Sequence, residues 1–312
     1  MTPHKKKISI IIPCFNEETN IKKISQEIFL QLNGSFEYEI IFIDDGSQDN
    51  TLEIIKQQKK SNTRISYISF SRNFGHQTAL RAGLDHANGD CVISMDADMQ
   101  HPPKLIKEMI KKWQEGYDIV YTVRNDKNTS LFKKTTSKLF YSILNHLSDY
   151  KVEYGAADFR LLDRKIVNII KKMTEDNLFL RGVVSWVGFK QCSIPYFPAA
   201  RFSGSSKYSI KKMFNLALNG VTGFSVKPLR ISTYLGYVIS SISFIYGLYA
   251  ILMSIFTPKN ISGWTSLLVT VTFLGGIQMI TIGIFGEYLG KLFINEKRRP
   301  NYIIKEKNKE LL

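Results

Sequence analysis

The chain has 312 residues, 44% hydrophobic and 22% charged, with a formal net charge of +15. That length allows one large domain, or a domain of about 230 residues with an appendage. The composition argues against disorder except at the ends. The charge points to an anionic partner, whether nucleic acid, anionic lipid or a phosphorylated substrate, without choosing among them.

The N-terminus, Met1-Thr-Pro-His-Lys-Lys-Lys7, has no apolar signal core and leads straight into a strand-like run. The N-terminal domain is therefore expected in the cytoplasm. Cys14, Cys91 and Cys192 are odd in number and form no CxxC pair, so reduced thiols are expected rather than a disulfide framework or a zinc site. The apolar run from Lys7 to Ile12 predicts a first strand ending at Pro13, and a helix is expected from Glu18 to about Leu32. A strand from Tyr38 to Ile43 ends at Asp44-Asp45-Gly46-Ser47, followed by a helix from about Asn50 to Lys60. Ile65 to Phe70 reads as a strand, Thr78 to Ala87 as a helix, and Cys91 to Met95 as a strand ending at Asp96-Ala97-Asp98. Pro102 and Pro103 open a helix to about Glu115, and Ile119 to Val123 is a fifth strand.

Strands alternating with helices predict an α/β fold, a mostly parallel sheet with helices on both faces. In such sheets ligands bind beyond the carboxyl ends of the strands. The polar clusters Asn16-Glu17-Glu18, Asp44-Asp45, Ser71-Arg72-Asn73 and Asp96-Ala97-Asp98 all fall there. In extended backbone Asp96 and Asp98 point to one side and can share a hard divalent cation, Mg²⁺ or Mn²⁺, with Gln100 as a third oxygen donor. The bland alternative is an acidic turn capping the helix after Pro102. Such a cation would neutralise a diphosphate leaving group. No P-loop and no G-x-G-x-x-G turn is present, which disfavours a P-loop NTPase and a dinucleotide site.

Ile231 to Phe256 and Ile261 to Gly286 carry no charged residue, and each run exceeds the roughly 20 residues that cross a bilayer. Their Ser, Thr and Gly residues suit helix contacts in a membrane. Lys227 and Arg230 before the pair, and Lys291, Lys297, Arg298 and Arg299 after it, outweigh the single Lys259 between the runs. Both chain ends are therefore expected to be cytoplasmic. The expected organisation is a catalytic domain at 1–209, an interfacial amphipathic linker at 210–230, a two-helix transmembrane hairpin at 231–290 and a basic tail at 291–312 that could lie on anionic headgroups.

The series Ile12-Pro-Cys-Phe-Asn-Glu-Glu18, Asp44-Asp-Gly-Ser47, Ser71-Arg-Asn-Phe-Gly75 and Asp96-Ala-Asp-Met-Gln-His-Pro-Pro103 resembles the family 2 glycosyltransferases with a GT-A fold. More narrowly it is similar to the polyprenyl-phosphate glycosyltransferases, the bactoprenol glucosyltransferases and dolichol-phosphate mannose synthases. The likeness continues through Asp158-Phe-Arg-Leu-Leu-Asp-Arg164, Arg181-Gly182 with Trp186, Arg201-Phe-Ser-Gly-Ser-Ser-Lys-Tyr208, Phe224-Ser-Val-Lys-Pro-Leu-Arg230 and Gly286-Glu-Tyr-Leu-Gly290. The resemblance implies nucleotide-sugar contacts from Pro13, Glu17, Asp44, Asp45, Arg72 and Asp96, and a metal held by Asp96, Asp98 and Gln100. It makes Asp158 the candidate catalytic base of an inverting transfer, with Arg201 on the diphosphate. His76 stands where the family often has a basic residue.

An acceptor phosphate monoester has a second pKa near 6 and is already a nucleophile at neutral pH. Asp158 is therefore expected to orient the donor sugar or an arginine rather than to act as a base. Cations must draw the two anionic substrates together, and Arg124, Lys133, Lys134 and Lys207 are the acceptor-side candidates. The resemblance further implies a polyprenyl phosphate acceptor, undecaprenyl phosphate, the bilayer as a partner, a homo-oligomer, and uridine diphosphate over guanosine diphosphate as carrier. Glucose, N-acetylglucosamine, galactose and mannose are all admissible sugars. A processive polysaccharide synthase would carry a Gln-x-x-Arg-Trp motif, and Leu180-Arg-Gly-Val-Val-Ser-Trp186 stands there instead. A membrane-tethered nucleic-acid or lipid-binding module is the other class, but no nucleic-acid motif is present and acidic pairs line the expected cleft.

Overall fold

The computed structural model describes residues 6–34, 36–125, 153, 155–175, 180–198, 225–256 and 263–308. Eight strands form one sheet: β1 (Lys7–Cys14), β2 (Glu37–Asp44), β3 (Ile65–Phe70), β4 (Cys91–Ser94), β5 (Ile119–Arg124), β6 (Ala156–Asp163), β7 (Gln191–Tyr196) and β8 (Ile304–Lys307). Their order is β7-β5-β6-β4-β1-β2-β3-β8. The pairs β1–β2, β1–β4, β2–β3 and β5–β7 are parallel. Among the described strands only β6, between β4 and β5, and β8, at the outer edge of β3, run antiparallel.

The expected strands and helices of the first 124 residues form, with shifted ends. Helix α1 (Ile21–Leu32) starts three residues later than its pattern implied, α2 spans Thr51–Ser61, α3 His76–His86 and α4 Leu105–Gln114. Helices α5 (Arg164–Lys171) and α6 (Leu180–Val187) follow β6. Strand β1 shows why its reading as a buried parallel strand holds, because every residue after Lys7 is buried and each face of the strand meets a helical layer. Ile8, Ile10, Ile12 and Cys14 join Ile24 and Ile28 of α1, Ile55 of α2 and Ile106 and Met109 of α4 in one core cluster. Ile11, on the opposite face, meets α3.

That second contact depends on Gly83. A Cβ there would lie 2.8 Å from Ile11 Cβ and 2.9 Å from Ile43 Cδ1, so α3 can only lie this close to the sheet without a side chain at this point. The close approach matters because the N-terminal end of α3 carries His76 and Gln77 into the cleft described below. No disulfide links the cysteines; Cys14 and Cys91 are buried.

The second compact unit contains α7 (Lys227–Phe256) and α8 (Trp264–Glu296). Both helices include windows long and apolar enough to cross a membrane, Lys227–Tyr249 and Val269–Glu296. Large apolar side chains such as Ile242, Phe244 and Ile245 on α7 and Phe273, Ile280 and Phe285 on α8 are each more than half exposed. Leaving a side chain of this size in water forgoes about 1.5–3 kcal/mol, so these surfaces need an apolar surrounding. Within the unit, Tyr288 donates a hydrogen bond to the Ser225 carbonyl at 2.6 Å. The helices extend beyond the charge-free runs at 231–256 and 261–286. The expected tail also contains a structured segment, because residues 304–307 form β8 in the sheet. The interfacial helix expected at 210–230 falls mostly outside the described residues.

Gly83→Val should lower the melting temperature, since overpacking of this kind costs typically 1–3 kcal/mol. Thermal denaturation of the full chain in detergent measures it, and an unchanged melting temperature would contradict the close packing of α3.

Candidate active site

The carboxyl ends of β1, β2 and β4, together with the start of the antiparallel β6, converge on one edge of the sheet. Four polar loops meet there. The first is built around Asp44, which is fully buried and accepts hydrogen bonds from Ser69 Oγ at 2.7 Å and from the Ser47 amide at 3.1 Å. Its neighbour Asp45 turns the other way. Asp45 accepts from the amides of Phe74 at 2.6 Å and Gly75 at 3.0 Å, so it fastens the loop that follows β3. Burial, opposed by those two amides, raises the Asp45 carboxyl above its ordinary range, and the nearby Asp44 adds to the rise. Gly46 sits between the two loops with φ of 70°, and a Cβ there would come within 2.5 Å of the Arg72 backbone. Only glycine combines that left-handed backbone with that proximity.

The third loop carries Asp96-Ala97-Asp98. The backbone here is a turn rather than the extended continuation of β4 that the sequence implied, and Met99 has φ of 63°. Ala97 is buried, while Asp96 and Asp98 on either side are partly exposed to the cleft. Asp98 accepts a hydrogen bond from the Gln100 amide at 3.1 Å. The N-cap position of α4 is Lys104, whose side chain makes no cap hydrogen bond. Asp96 is held by His101, which is buried and stacked on Phe159 with ring centres 5.1 Å apart. His101 Nδ1 accepts from the Asp96 amide at 3.2 Å, which leaves Nε2 to carry the proton and face the Asp96 carboxylate at 3.7 Å. One imidazole thus braces both the backbone and the side chain of Asp96.

The fourth part is a buried charge cluster. Asp158, near the start of β6, is 7% exposed. Arg181 of α6 grips it through two bonds, Nε to Oδ1 at 3.0 Å and Nη2 to Oδ2 at 2.7 Å. Arg160 donates to Oδ1 at 3.1 Å and also to the Ala157 carbonyl at 2.9 Å. Burial on its own would raise the Asp158 carboxyl. The Arg181 and Arg160 charges overcome it and hold the group far below the usual carboxylate range. Burial pushes the Arg160 guanidinium down to about 10, so it remains charged at neutral pH. His76 connects this cluster to the acidic turn, with Nε2 3.4 Å from Asp96 and 3.8 Å from Asp158. Gln77 lies within 3.4 Å of Asp158 and accepts from the Leu180 amide at the start of α6. Beside Arg181 opens a polar cavity of about 230 Å³ lined by Tyr121, Glu153, Arg160, Ser185 and Gln191.

Residues 9–170 match the model of the family described as glycosyl transferase family 2. The prophage bactoprenol glucosyl transferase homolog of Escherichia coli K12 is 46% identical over 306 residues, covering 97% of this chain and all of that protein. The chain belongs to glycosyl transferase family 2. The bactoprenol glucosyl transferase of Shigella phage SfV is 44% identical over 97% of this chain and its own full length, and an uncharacterized glycosyltransferase of Bacillus subtilis is 42% identical over 96% and 93%. Among solved structures, a mannosyltransferase from Pyrobaculum calidifontis in complex with GDP-Man and Mn²⁺ superposes with a TM-score of 0.52 at 13% identity, covering 96% of this chain and 89% of that one. The fold is GT-A.

In this family 2 enzyme the candidate residues divide. Asp44, Asp45, Asp96, Asp98, Gln100 and Asp158 lie on the elements that meet at the cleft. Pro13 is buried in β1 beside Ile43, and Glu17 accepts from Asn20 Nδ2 at 2.6 Å. Arg72 is exposed and lies over the Phe74 ring at 4.4 Å. Arg124 is exposed at the end of β5. Lys133, Lys134, Arg201 and Lys207 lie outside the described residues. No group of three His, Cys, Asp or Glu able to hold a metal occurs among the described residues. The acidic turn itself offers two carboxylates, Asp96 and Asp98, with Gln100 next to them in the chain. Five residues of the cluster, His76, Gln77, His101, Arg160 and Arg181, received no site role from the sequence. A buried-pair signal for Arg160 existed in its spacing of two from Asp158 on one strand face.

Replacing Asp158 with Asn should strip the buried Arg160 of its counter-ion at a cost of about 3–5 kcal/mol, read as a fall in melting temperature. The folded Asp158 pKa is depressed, so its stabilisation is present above the unfolded value near 3.9 and is lost only as pH falls through the lower folded one. Melting temperature measured from pH 5 to 9 should therefore show no titration of this group, and a transition in that window assigned to Asp158 would overturn the clamp.

Proposed function

We propose that this protein transfers a hexose, with inversion, from a nucleotide-sugar to undecaprenyl phosphate at the cytoplasmic face of a membrane, with UDP-glucose as the donor. The observation that carries this reading is the end-to-end likeness, both apolar helices included, to proteins named bactoprenol glucosyl transferase. The basic flanks of the helix pair favour cytoplasmic chain ends, which puts the nucleotide-sugar and the headgroup on one side. A sugar-lipid product of this kind would feed envelope glycosylation.

The donor's diphosphate belongs at the acidic turn. A divalent cation, Mg²⁺ or Mn²⁺, held there by Asp96, Asp98 and Gln100 would supply the positive charge that stabilises the departing diphosphate. Asp44 and the loop fastened by Asp45 bound the nucleoside side. In the transfer, an acceptor phosphate oxygen forms the new bond to the sugar C1 as the bond from C1 to the diphosphate oxygen breaks. A dianionic phosphate has no proton to give up, so no general base is required. The depressed pKa of Asp158 fits this, because a carboxylate gripped by two guanidinium groups is a poor proton acceptor. Its work is to hold Arg181, whose guanidinium is partly exposed beside the cavity. The cluster of Asp158, Arg160 and Arg181 carries one net positive charge, and Arg181 is the cation that would meet the acceptor phosphate. Arg124 at the mouth of β5 would add to that field.

Membranes carrying the protein, labelled UDP-glucose, undecaprenyl phosphate and Mn²⁺ should yield a chloroform-soluble labelled lipid that EDTA suppresses. Changing Asp96 and Asp98 together to Ala should abolish it, and a double variant with intact transfer would sink the reading. Arg181→Ala should weaken acceptor use by roughly 30- to 160-fold, the worth of a charge-assisted bond of about 2–3 kcal/mol, with donor KM little changed. The pH–rate profile should fall only below about pH 6, where the acceptor gains a proton. An acid limb that moved with the Asp158→Asn substitution would restore a base.

A further inference from the structure

The segment after the second apolar helix does not end there. Seven residues, Lys297 to Ile303, lead from α8 to β8, which closes the outer edge of the sheet against β3. The contact is more than a strand pairing. The Ser71 amide donates to the Ile303 carbonyl at 3.0 Å, and the Tyr67 amide donates to Asn308 Oδ1 at 2.8 Å, so the ladder is sealed at both ends. Tyr302 stacks on Phe70 with ring centres 5.1 Å apart, and its hydroxyl reaches Asp85 of α3 at 3.2 Å. Phe70 in turn packs edge-on against Phe74 at 5.6 Å.

Phe74 belongs to the loop that Asp45 fastens and on which Arg72 lies. Tyr302, Phe70 and Phe74 thus form an aromatic column that runs from the C-terminal segment to the rim of the donor cleft. Asp85 is held by Arg81 Nε at 2.9 Å, and Arg81 is anchored by the carbonyls of Lys171 and Met173. The hydroxyl end of the column is therefore fixed to α3, the helix that presents His76. An edge strand whose only task was to cover β3 would need neither ring nor hydroxyl.

We propose that residues 299–308 are a positioning element of the donor site, with Tyr302 as the residue that sets the loop Ser71–Gly75 and through it the affinity for the nucleotide. In the chain this segment directly follows the second apolar helix. The proposal rests on the assignment of the nucleotide to the cleft bounded by Asp44, Asp45 and Arg72.

The test uses the full chain in nanodiscs, with UDP and Mn²⁺ binding followed by calorimetry and with donor and acceptor KM measured separately. Tyr302→Ala should weaken UDP binding and raise donor KM by about five- to tenfold, the scale of a lost aromatic contact with its loop order, while acceptor KM stays within about twofold. Tyr302→Phe, which keeps the stack and loses only the hydroxyl bond, should recover most of the affinity. A folded Tyr302→Ala protein that bound UDP like the unaltered chain, or one in which donor and acceptor KM rose together, would overturn the positioning role. If the unaltered chain bound no nucleoside diphosphate, the donor-site assignment itself would fall, and this proposal with it.

Discussion

A carboxylate buried between two guanidinium groups sets the terms for the rest of the cleft. Taking Asp158 out of water is expensive unless its charge is matched, and Arg160 and Arg181 match it from two different elements, β6 and α6. The clamp therefore does structural and chemical work at once. It joins α6 to the sheet, fixes a partly exposed guanidinium beside a polar cavity, and leaves the carboxylate without basicity. A reaction whose nucleophile is already an anion can be served by such a group, whereas one that must deprotonate an alcohol could not.

The acidic side of the cleft follows a related pattern. Asp44 and Asp45 are adjacent in sequence and opposite in task. Asp44 is bound into its own turn and into β3, while Asp45 reaches across to the amides after β3. The acidic turn at Asp96 is braced by a stacked imidazole. Asp44 and Asp45 are thus set by hydroxyl and amide donors, and the surface left over is negative at the turn and positive at the clamp. A metal–diphosphate and a phosphate monoester call for that separation.

Much of this was legible in the residues. The alternation of apolar runs with helical patterns, and the polar clusters closing each run, specified a mostly parallel sheet with its ligands on one edge. The strands β1 to β5 stand where their hydrophobic runs stand, because strands covered on both faces must be apolar along their whole length. The second half of the sheet was less legible. Strand β6 alternates Asp158 and Arg160 with Phe159 and Leu161, and charged residues argue against a central strand until their partners are known. Strand β8, with the sequence Ile-Lys-Glu-Lys, reads as a solvated basic tail.

Local pattern in the chain sufficed for strands β1 to β5 and the helices between them, the acidic pair after β4, the two long apolar runs and the family, because periodicity, short motifs and long uncharged runs are local properties of the chain. Only the folded arrangement shows which arginines hold Asp158, what His101 and Gln77 touch, and that the segment after the last helix pairs with β3. Each of these depends on groups far apart in sequence: Asp158 and Arg181, Gln77 and Leu180, Phe70 and Tyr302. A charge's protonation state and an edge strand's partner are set by neighbours in space, and no local pattern encodes them.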